Sequence, residues 1–199
     1  IKVFKYDSNI GWEQVGQDVD GIVNDDYHGF SVSLSGDGTR VAVGSHEGEE
    51  SISLLDKNEG RVQVYDFNGT HWNQIGDSLY GDAKNDEFGY SVSLSSDGTH
   101  IAIGAIYHDT PNTNAGQVQV YEFTSQNWAQ KGTSINDASF GDRLGFSVSL
   151  SSDGTRFVVG APYKNYGISN EGMAKVYEFS TDWQQYGNSV FGVAQNDNK

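Results

Sequence analysis

Residues 29–44 read GFSVSLSGDGTRVAVG, and closely related stretches occupy residues 89–104 and 145–160. The three copies begin 60 and then 56 residues apart (89 − 29 and 145 − 89). Self-similarity at a long, nearly fixed period indicates supersecondary units that bury their faces only by stacking on one another. The fold is therefore decided by how one unit is built and how its neighbours pack against it.

Two further elements follow every copy of this stretch. The first is a strand-like segment that ends in Tyr, an acidic residue and Phe, and the second is Trp-x-Gln-x-Gly. They occupy residues 60–67, 116–123 and 172–179, and residues 72–76, 128–132 and 183–187. Residues 1–6 and 12–16 fit the same two elements, so residues 1–28 are interpreted as the second half of a preceding repeat. Whole repeats then occupy residues 29–88, 89–144 and 145–199, all within one domain.

Each repeat has the pattern of four short strands. In the first copy, Phe30, Val32 and Leu34 alternate with serines, which is the period of a strand. The Ser-x-Asp-Gly-Thr that follows is typical of a tight turn. No segment has a 3.6-residue apolar period, so we expect essentially no helix. Repeated four-stranded antiparallel sheets packed face to face predict an all-β fold, namely a β-propeller with three blades and a half blade.

Three and a half blades are too few for a closed ring, because propellers commonly have about 4–8. We therefore expect further blades, either from the same longer chain or from other subunits. A fragment of a larger propeller is the favoured interpretation.

The repeats resemble FG-GAP repeats, the blades of the integrin α-chain propeller. Phe88-Gly89 matches the Phe-Gly mark of that family, and Gly160-Ala161-Pro162 matches its Gly-Ala-Pro mark. The other copies match these marks in part. The Ser-x-Asp-Gly turn is also similar to the hairpin turn of WD40 blades, a weaker second resemblance. Membership of the FG-GAP family implies a propeller with a role in recognition or adhesion.

The resemblance departs from its family at the loop between the first two strands. Many FG-GAP blades carry several aspartates there that bind calcium, whereas each loop here has one carboxylate, from Asp37, Asp97 or Asp153. A calcium ion needs about 6–8 oxygen ligands. We therefore expect no metal at these turns, where each aspartate bonds its own turn backbone.

The composition excludes several classes of partner. The chain has 12 Lys+Arg against 27 Asp+Glu, a formal net charge of −15, which argues against nucleic acid because phosphate binding needs clustered cations. It contains no Cys, which excludes disulfides and thiolate sites. No stretch approaches the roughly 18 consecutive apolar residues of a membrane span, so we expect no membrane insertion.

The candidate ligand contacts lie in the connection after the second strand, where the repeats differ most. Binding residues commonly lie on such loops of a rigid scaffold, and these three connections should reach the same rim. The candidates are Tyr107, His108, Asp109, Tyr163, Lys164, Tyr166, His46 and Glu47. The acidic loop with His46, Glu47, Glu49 and Glu50 is better explained as a solvated loop than as a cation site. Asn68 begins the sequon Asn68-Gly69-Thr70, a candidate glycosylation site.

Two sets of residues recur in every repeat, and recurrence favours a structural role. Trp12, Trp72, Trp128 and Trp183 could stack on sugars, but packing between blades is the favoured interpretation. The carboxylates at Asp26, Asp86 and Asp142 each lie three residues before the strand glycine, and Asp197 fits the same frame. We expect a turn or inter-blade hydrogen bond from them.

These features favour a non-enzymatic recognition or adhesion module, extracellular or at the cell surface, that binds a protein or a glycan through its rim loops. No phosphate loop, nucleophile elbow or Ser/His/Asp constellation is present, so we expect no catalysis, no cofactor and no bound metal. An architectural subunit of a larger extracellular assembly or filament is the alternative, and a propeller enzyme is less favoured.

Overall fold

The computed structural model describes residues 1–22, 26–48, 58–136, 138–165 and 170–192. These residues form short strands and turns and contain no helix. The strands are β1 (Phe4–Asp7), β2 (Gly11–Gln14), β3 (Ser31–Leu34), β4 (Arg40–Ser45), β5 (Arg61–Phe67), β6 (Trp72–Gln74), β7 (Leu79–Tyr80), β8 (Phe88–Leu94), β9 (His100–Ala105), β10 (Gln117–Thr124), β11 (Asn127–Gln130), β12 (Ser147–Leu150), β13 (Arg156–Ala161), β14 (Met173–Phe179), β15 (Trp183–Gln185) and β16 (Val190–Phe191). The prediction of an all-β chain is confirmed.

The strands form four antiparallel sheets in chain order. Blade 1 has the strand order β3-β4-β5-β6, blade 2 the order β8-β9-β10-β11, and blade 3 the order β12-β13-β14-β15. The half blade is the pair β1-β2. The short strands β7 and β16 pair with the start of β5 and β14 beyond the fourth strand, an addition that the sequence pattern does not predict. The arrangement is that of a partial β-propeller.

The hydrophobic core lies between the sheets. One cluster joins Ala42, Val62 and Val64 of blade 1 to Phe88 and Ile103 of blade 2. Equivalent clusters lie between blades 2 and 3 and between the half blade and blade 1. Because each core needs residues from two sheets, a blade is stabilised mainly by its neighbour, as in other repeat proteins.

Glycines at the end of each second strand set the distance between blades. A methyl group on Gly44 or Gly104 would lie less than 3.0 Å from the carbonyl oxygen of Gly89 or Gly145 in the next blade. Those same carbonyls accept hydrogen bonds from Ser31 Oγ and Ser91 Oγ, at 2.6 and 2.7 Å. Small residues and serine hydroxyls therefore let the inner strands of neighbouring blades meet backbone to backbone.

The Asp-Gly turns are closed by their own aspartates. Asp37 Oδ1 accepts hydrogen bonds from Ser35 Oγ, Thr39 N and Thr39 Oγ1, at 2.7, 3.0 and 2.9 Å. The same set surrounds Asp97 and Asp153. The hydrogen bond from the Thr39 backbone is the main reason that the pKa of Asp37 falls to about 2. These carboxylates serve the turn, as the sequence indicates.

Candidate functional site

Two kinds of segment lie at one edge of the three blades. One is the connector that leads into the first strand of each blade, and the other is the loop that follows its second strand. The register requires this, because the start of β3 pairs with the end of β4, and β12 with β13 in the same way. The Asp-Gly turns lie at the opposite edge. The variable loops of the three repeats therefore share one rim.

A residue in the left-handed conformation stands at the same place on this rim in every blade. Tyr27, Glu87 and Arg143 have φ values of 52°, 55° and 55°, and each precedes the strand glycine by two residues. A non-glycine residue in this conformation costs about 1–2 kcal/mol. The turn holds it there with a hydrogen bond such as Tyr90 N to Glu87 O, at 3.1 Å. The side chain at this position differs in each blade: it is aromatic, acidic and basic in turn.

Arg143 joins two blades through two tyrosine rings. Its guanidinium carbon lies 4.7 Å from the ring centre of Tyr107, in the loop after β9, and 4.5 Å from that of Tyr163, in the loop after β13. Both distances are within the range of a cation–π contact. Among the described residues, no carboxylate forms an ion pair with Arg143. Its hydrogen-bond donors therefore have no carboxylate partner among these residues.

An aromatic row crosses the blades beside this arginine. Phe30, Tyr90 and Phe146 follow the strand glycine in successive blades, and their ring centres lie 5.0 and 5.1 Å apart. Tyr163 extends the row, 6.3 Å from Phe146. His46 packs at its other end, 4.1 Å from Phe30. Spacings of 4.5–7 Å are those of favourable aromatic pairs, so the row forms a continuous apolar strip at the mouth of the inner strands.

Glu87 and His46 bring titratable groups to the strip. Glu87 Oε2 lies 3.7 Å from His46 Nδ1. Burial, with a contribution from the negative charge of Glu47, raises the pKa of Glu87 to about 7. Burial lowers the pKa of His46. At neutral pH the histidine is therefore uncharged and the glutamate is partly protonated, so this contact is not a full ion pair.

Two shallow cavities flank the Arg143 stack. One, of about 340 Å³, is lined by Lys84, Asn85, Glu87, Tyr107, Asp109 and Asn114. The other, of about 310 Å³, is lined by Asn114, Phe140, Gly141, Arg143, Tyr163, Asn165 and Asn170. We call Tyr90, Tyr107, Tyr163, Arg143, Glu87 and His46 the rim cluster. A larger cavity, of about 680 Å³, lies on blade 3, and its lining includes Phe146 and Tyr163.

Two of the sequence-predicted contacts face inward instead. His108 Nδ1 lies 2.9 Å from Asp86 Oδ2, and Lys164 Nζ donates to Asp142 Oδ2 at 2.8 Å. Both aspartates are buried, and each also accepts a backbone hydrogen bond from its own connector. The hydrogen bond to Asp86 raises the pKa of His108. These pairs join the connector before the first strand to the loop after the second strand, and so stabilise the rim.

The remaining predicted residues are placed as follows. Asp109 is exposed and its Oδ1 accepts a hydrogen bond from Asn114 N at 2.9 Å. Glu47 is partly buried, next to His46. Tyr166 and the acidic residues Glu49 and Glu50 lie outside the described residues. Asn68 lies in an exposed turn, where its side-chain oxygen accepts hydrogen bonds from the Thr70 and His71 amides at 3.0 and 2.9 Å.

The tryptophans join neighbouring sheets. The indole N–H of Trp72, Trp128 and Trp183 donates to a carbonyl of the preceding sheet, at 2.8, 3.3 and 2.7 Å. All three side chains are buried, which supports packing over sugar stacking. Trp12 of the half blade is 71% exposed and stacks edge-on with Tyr6.

Sequence reasoning missed Glu87, Tyr90 and Arg143. Glu87 and Arg143 lie in connectors and Tyr90 lies in a strand, and none belongs to a catalytic or binding motif. The sequence did contain one signal. The residue two positions before the strand glycine differs in chemical type between repeats: it is Tyr27, then Glu87, then Arg143.

Within the described part of the chain, no group of three or more His, Cys, Asp or Glu side chains is placed to hold a metal ion. Nor does that part contain a helix with the length and apolarity needed to cross a bilayer.

The chain is similar in structure to several larger proteins. It matches Saccharomyces cerevisiae Sqt1 with a TM-score of 0.54 at 13% identity, over 86% of this chain and 38% of that one. It matches a Bacteroides uniformis protein named as a 6-phosphogluconolactonase with a TM-score of 0.58 at 10% identity, over 100% of this chain and 53% of that one. The β-propeller domain of Myceliophthora thermophila Cps50 (Swd1) gives 0.48 at 13%, over 78% and 36%. The chain thus spans about a third to a half of the length of these structures.

No curated protein matches this chain in sequence. The family model of the FG-GAP repeat matches residues 81–121 and 130–177. These two segments run from the connector before blade 2 into β10, and from the end of β11 into β14. The resemblance seen in Phe88-Gly89 and Gly160-Ala161-Pro162 is therefore confirmed: this chain is a partial β-propeller, and two of its segments match the FG-GAP repeat.

Proposed function

We propose that this chain belongs to a non-enzymatic recognition or adhesion module, and that the rim cluster contacts a protein ligand through an acidic side chain. The observation that carries the proposal is Arg143, held between Tyr107 and Tyr163 of neighbouring blades. Arginine and tyrosine are enriched among the residues that dominate binding energy at protein interfaces. Here they stand on a rigid sheet scaffold.

The chemistry of the cluster suits a carboxylate. A guanidinium offers a planar fork of donors that matches a carboxylate in two parallel hydrogen bonds. The contacts with two rings restrict the Arg143 side chain, so less side-chain entropy remains to be lost on binding. The flanking cavities give the rest of the ligand chain a place to lie, and the strip of Phe30, Tyr90 and Phe146 offers apolar contact.

The net charge of −15 does not prevent binding of an anion at this point. The Debye length is about 8 Å at physiological salt, so distant carboxylates are screened. Glu87 is close enough to Arg143 for the two charges to interact, and its pKa of about 7 leaves it partly neutral at physiological pH. Binding of a carboxylate should therefore strengthen as the pH falls from 8 to 6.

The buried Asp86–His108 pair does not favour an enzyme. An Asp–His pair can activate a nucleophile, but the same place in blade 3 is held by Asp142 and Lys164, and Asp26 of blade 1 pairs with Arg61 at 2.5 Å. The basic partner of the aspartate is histidine, lysine or arginine in different blades. A contact whose basic residue changes in this way supports a structural role rather than a catalytic one. FG-GAP repeats are typical of extracellular proteins, which supports a cell-surface or secreted location.

The test is a binding experiment with matched arginine variants. The probes are immobilised peptides that present single Asp or Glu residues, with neutral and uronic-acid glycans beside them. Arg143→Ala removes the proposed contact. Arg156→Ala is the control, because Arg156 also stacks on a tyrosine ring, 4.7 Å from Tyr186, but lies at the opposite edge of blade 3 and is paired with Glu178.

We expect wild-type protein and Arg156→Ala to bind a subset of acidic peptides equally, and Arg143→Ala to bind them at least about tenfold more weakly. Equal loss in the two variants would refute a specific role for Arg143. Binding to the glycans and to none of the peptides would indicate that the ligand is a sugar and not a protein.

A further inference from the structure

At the edge of the Asp-Gly turns, one arginine joins blade 1 to blade 2. Arg40, at the start of β4, donates to the two carboxylate oxygens of Asp66 at 2.6 and 2.8 Å. It also donates to Gly98 O, in the turn of blade 2, at 2.8 Å. Its guanidinium carbon lies 5.0 Å from the ring centre of Phe123 on β10. A side chain that is always charged therefore holds these two blades together at this edge.

Between blades 2 and 3 the same contacts are divided between two side chains. His100 occupies the frame position of Arg40, and its ring packs so closely on the turn of blade 3 that a methyl group on Gly154 would overlap it. Lys131, after β11, supplies the positive charge. Its Nζ lies 4.9 Å from the ring centre of Phe179 on β14. The charge that faces the aromatic ring of the next blade therefore comes from a different position in this interface.

The hydrogen bonds around His100 require an uncharged ring. Thr99 Oγ1 donates its proton to Asp97 Oδ1 at 2.9 Å, so it accepts from His100 Nδ1, which lies 2.9 Å away. The lone pair of the ring is then on Nε2, which lies 2.6 Å from Lys131 Nζ. An ammonium group has donors only, so a contact this short needs an acceptor on the ring. Lys131 therefore donates to an unprotonated His100.

Charged groups from three elements of blade 2 and from the turn of blade 3 surround this contact. Glu122 Oε1 on β10 lies 3.1 Å from His100 Nε2 and 3.6 Å from Lys131 Nζ. Asp97 lies in the turn before β9. In the blade 3 turn, Asp153 Oδ1 is engaged by hydrogen bonds within that turn. Burial and the charge of Lys131 lower the pKa of His100, and the two carboxylates of blade 2 oppose this shift.

We propose that the His100–Lys131 contact is a pH-sensitive switch, in which protonation of His100 displaces Lys131 from the Phe179 ring and loosens blade 3 from blade 2. A protonated ring has donors on both nitrogens and cannot accept from an ammonium group. His100 then pairs with Glu122, and Lys131 moves into solvent on its flexible stem. The interface between blades 1 and 2 does not respond, because Arg40 carries its charge at every pH in this range.

The direction of the pH dependence follows from the two states of the contact. When the contact is open, the His100 ring has its ordinary pKa of about 6.5. When it is closed, the pKa is lower. The open state therefore binds more protons, so the closed state is fully favoured above pH 6.5 and is weakened as the pH falls below that value.

The test compares two interfaces of the full chain by NMR. The indole N–H of Trp183 donates to Lys131 O at 2.7 Å across the interface of blades 2 and 3, and that of Trp128 donates to Ile75 O at 3.3 Å across the interface of blades 1 and 2. Hydrogen exchange of both indoles is measured at pH 7 and pH 5 and expressed as protection factors, which removes the intrinsic effect of pH on exchange. The ring C–H signal of His100 reports its own titration.

The matched variants exchange the blade 2 arrangement for that of blade 1. Ile75 occupies the frame position of Lys131 in blade 1. Lys131→Ile alone therefore removes the displaced cation, and Lys131→Ile combined with His100→Arg reproduces the pair Ile75 and Arg40.

In the wild-type chain we expect protection of the Trp183 indole to fall about tenfold from pH 7 to pH 5, because each unit of pKa difference between two states changes their equilibrium tenfold. Protection of the Trp128 indole should change less than about twofold. The double variant should keep Trp183 protection constant over this range, and Lys131→Ile alone should raise the pKa of His100.

An equal fall at both indoles of the wild-type chain would overturn the proposal. So would a fall at Trp183 that persists in the double variant, or a wild-type His100 that titrates at or above pH 6.5. The comparison of the two indoles needs no substitution, so it decides the question even where a variant does not fold.

Discussion

Gly104 and Gly160 occupy the same frame position at the end of a second strand, but only Gly104 faces a neighbouring blade. Replacing each by alanine therefore compares the same chemical change with and without the next sheet. Neither glycine has a positive φ, so an alanine is compatible with the backbone at both positions. The difference between the two variants isolates the contact between blades.

The expected cost at Gly104 follows from the contact it makes. The new methyl group would lie less than 3.0 Å from Gly145 O, a backbone atom that cannot rotate away. The two sheets must separate by up to about 1 Å, which forfeits a quarter to a half of the dispersion energy of the atoms in contact. Overpacking of this kind costs about 1–3 kcal/mol. Loss of the hydrogen bond from Ser91 Oγ to Gly145 O adds about 1 kcal/mol.

The expected effect at Gly160 is small. The methyl group meets Ser147 Oγ, the end of a side chain that can change rotamer. Alanine in place of glycine within a strand gains about 0.5–1 kcal/mol from reduced backbone entropy in the unfolded chain. We therefore expect Gly160→Ala to leave the free energy of unfolding within about 0.5 kcal/mol of wild type, and Gly104→Ala to lower it by about 2–4 kcal/mol.

Urea unfolding followed by tryptophan fluorescence measures both values, because buried tryptophans lie at the blade interfaces. The slope of free energy against urea concentration should be the same in all three proteins, so that the midpoints report stability alone. Equal losses in the two variants would refute the argument that interblade contact sets the requirement for glycine. A larger loss at Gly160 would mean that blade 3 already has a neighbour on that face.

Three further substitutions test the rim and the interfaces. The pKa of Glu87 rises from 4.5 to about 7 on folding, so the stability that its protonated form contributes is full below pH 4.5 and is lost as the pH rises to 7. In urea unfolding, Glu87→Gln should therefore be as stable as wild type at pH 4. At pH 8 it should be more stable by about 1–2 kcal/mol, after allowance for solvent screening. His108→Ala leaves buried Asp86 without this hydrogen-bond partner and should cost about 3 kcal/mol by the same method, whereas His108→Lys should retain most of the stability. Trp128→Phe removes one interblade hydrogen bond and should lower the thermal midpoint by about 2–4 °C, whereas Trp12→Phe, at an exposed position, should not change it.

The blade could be predicted from sequence because its pattern is local. The alternation of Phe30, Val32 and Leu34 with serines and the Asp-Gly turn each fix a strand or a turn without reference to the rest of the chain. The short strands β7 and β16 could not be predicted in this way. Leu79 and Tyr80 have no periodicity of their own, and they pair with β5 only because the folded blade presents a free strand edge there.

The rim was predicted in part. Tyr107 and Tyr163 stood out because their loops differ between repeats, and the structure places both against Arg143. Arg143 itself was missed, because nothing in its side chain indicates the left-handed conformation that raises it onto the rim. In a sequence, glycine and asparagine are the residues that indicate this conformation.

His108 and Lys164 show a different limit of sequence reasoning. Both were predicted to contact ligand because they lie in variable loops. In the structure each pairs with the aspartate 22 residues before it. This regularity was present in the sequence, but it becomes meaningful only when the connector and the loop are known to lie on the same edge of the blade.

The internal repeat separates structural positions from functional ones without any comparison to other proteins. Below the rim, three different basic side chains contact the aspartates of the same frame, and in blade 1, where the loop has Gly48 at the position of His108 and Lys164, Arg61 of β5 is the partner. The requirement is a hydrogen-bond donor for the buried carboxylate, and the chain meets it from different positions, which is how a constraint of the fold behaves. At the left-handed position above these contacts, the backbone is held constant while the side chain changes from tyrosine to glutamate to arginine. Variation of the side chain at a position of fixed geometry favours contact with a partner over a constraint of the fold, and for this reason we propose the rim as the recognition site.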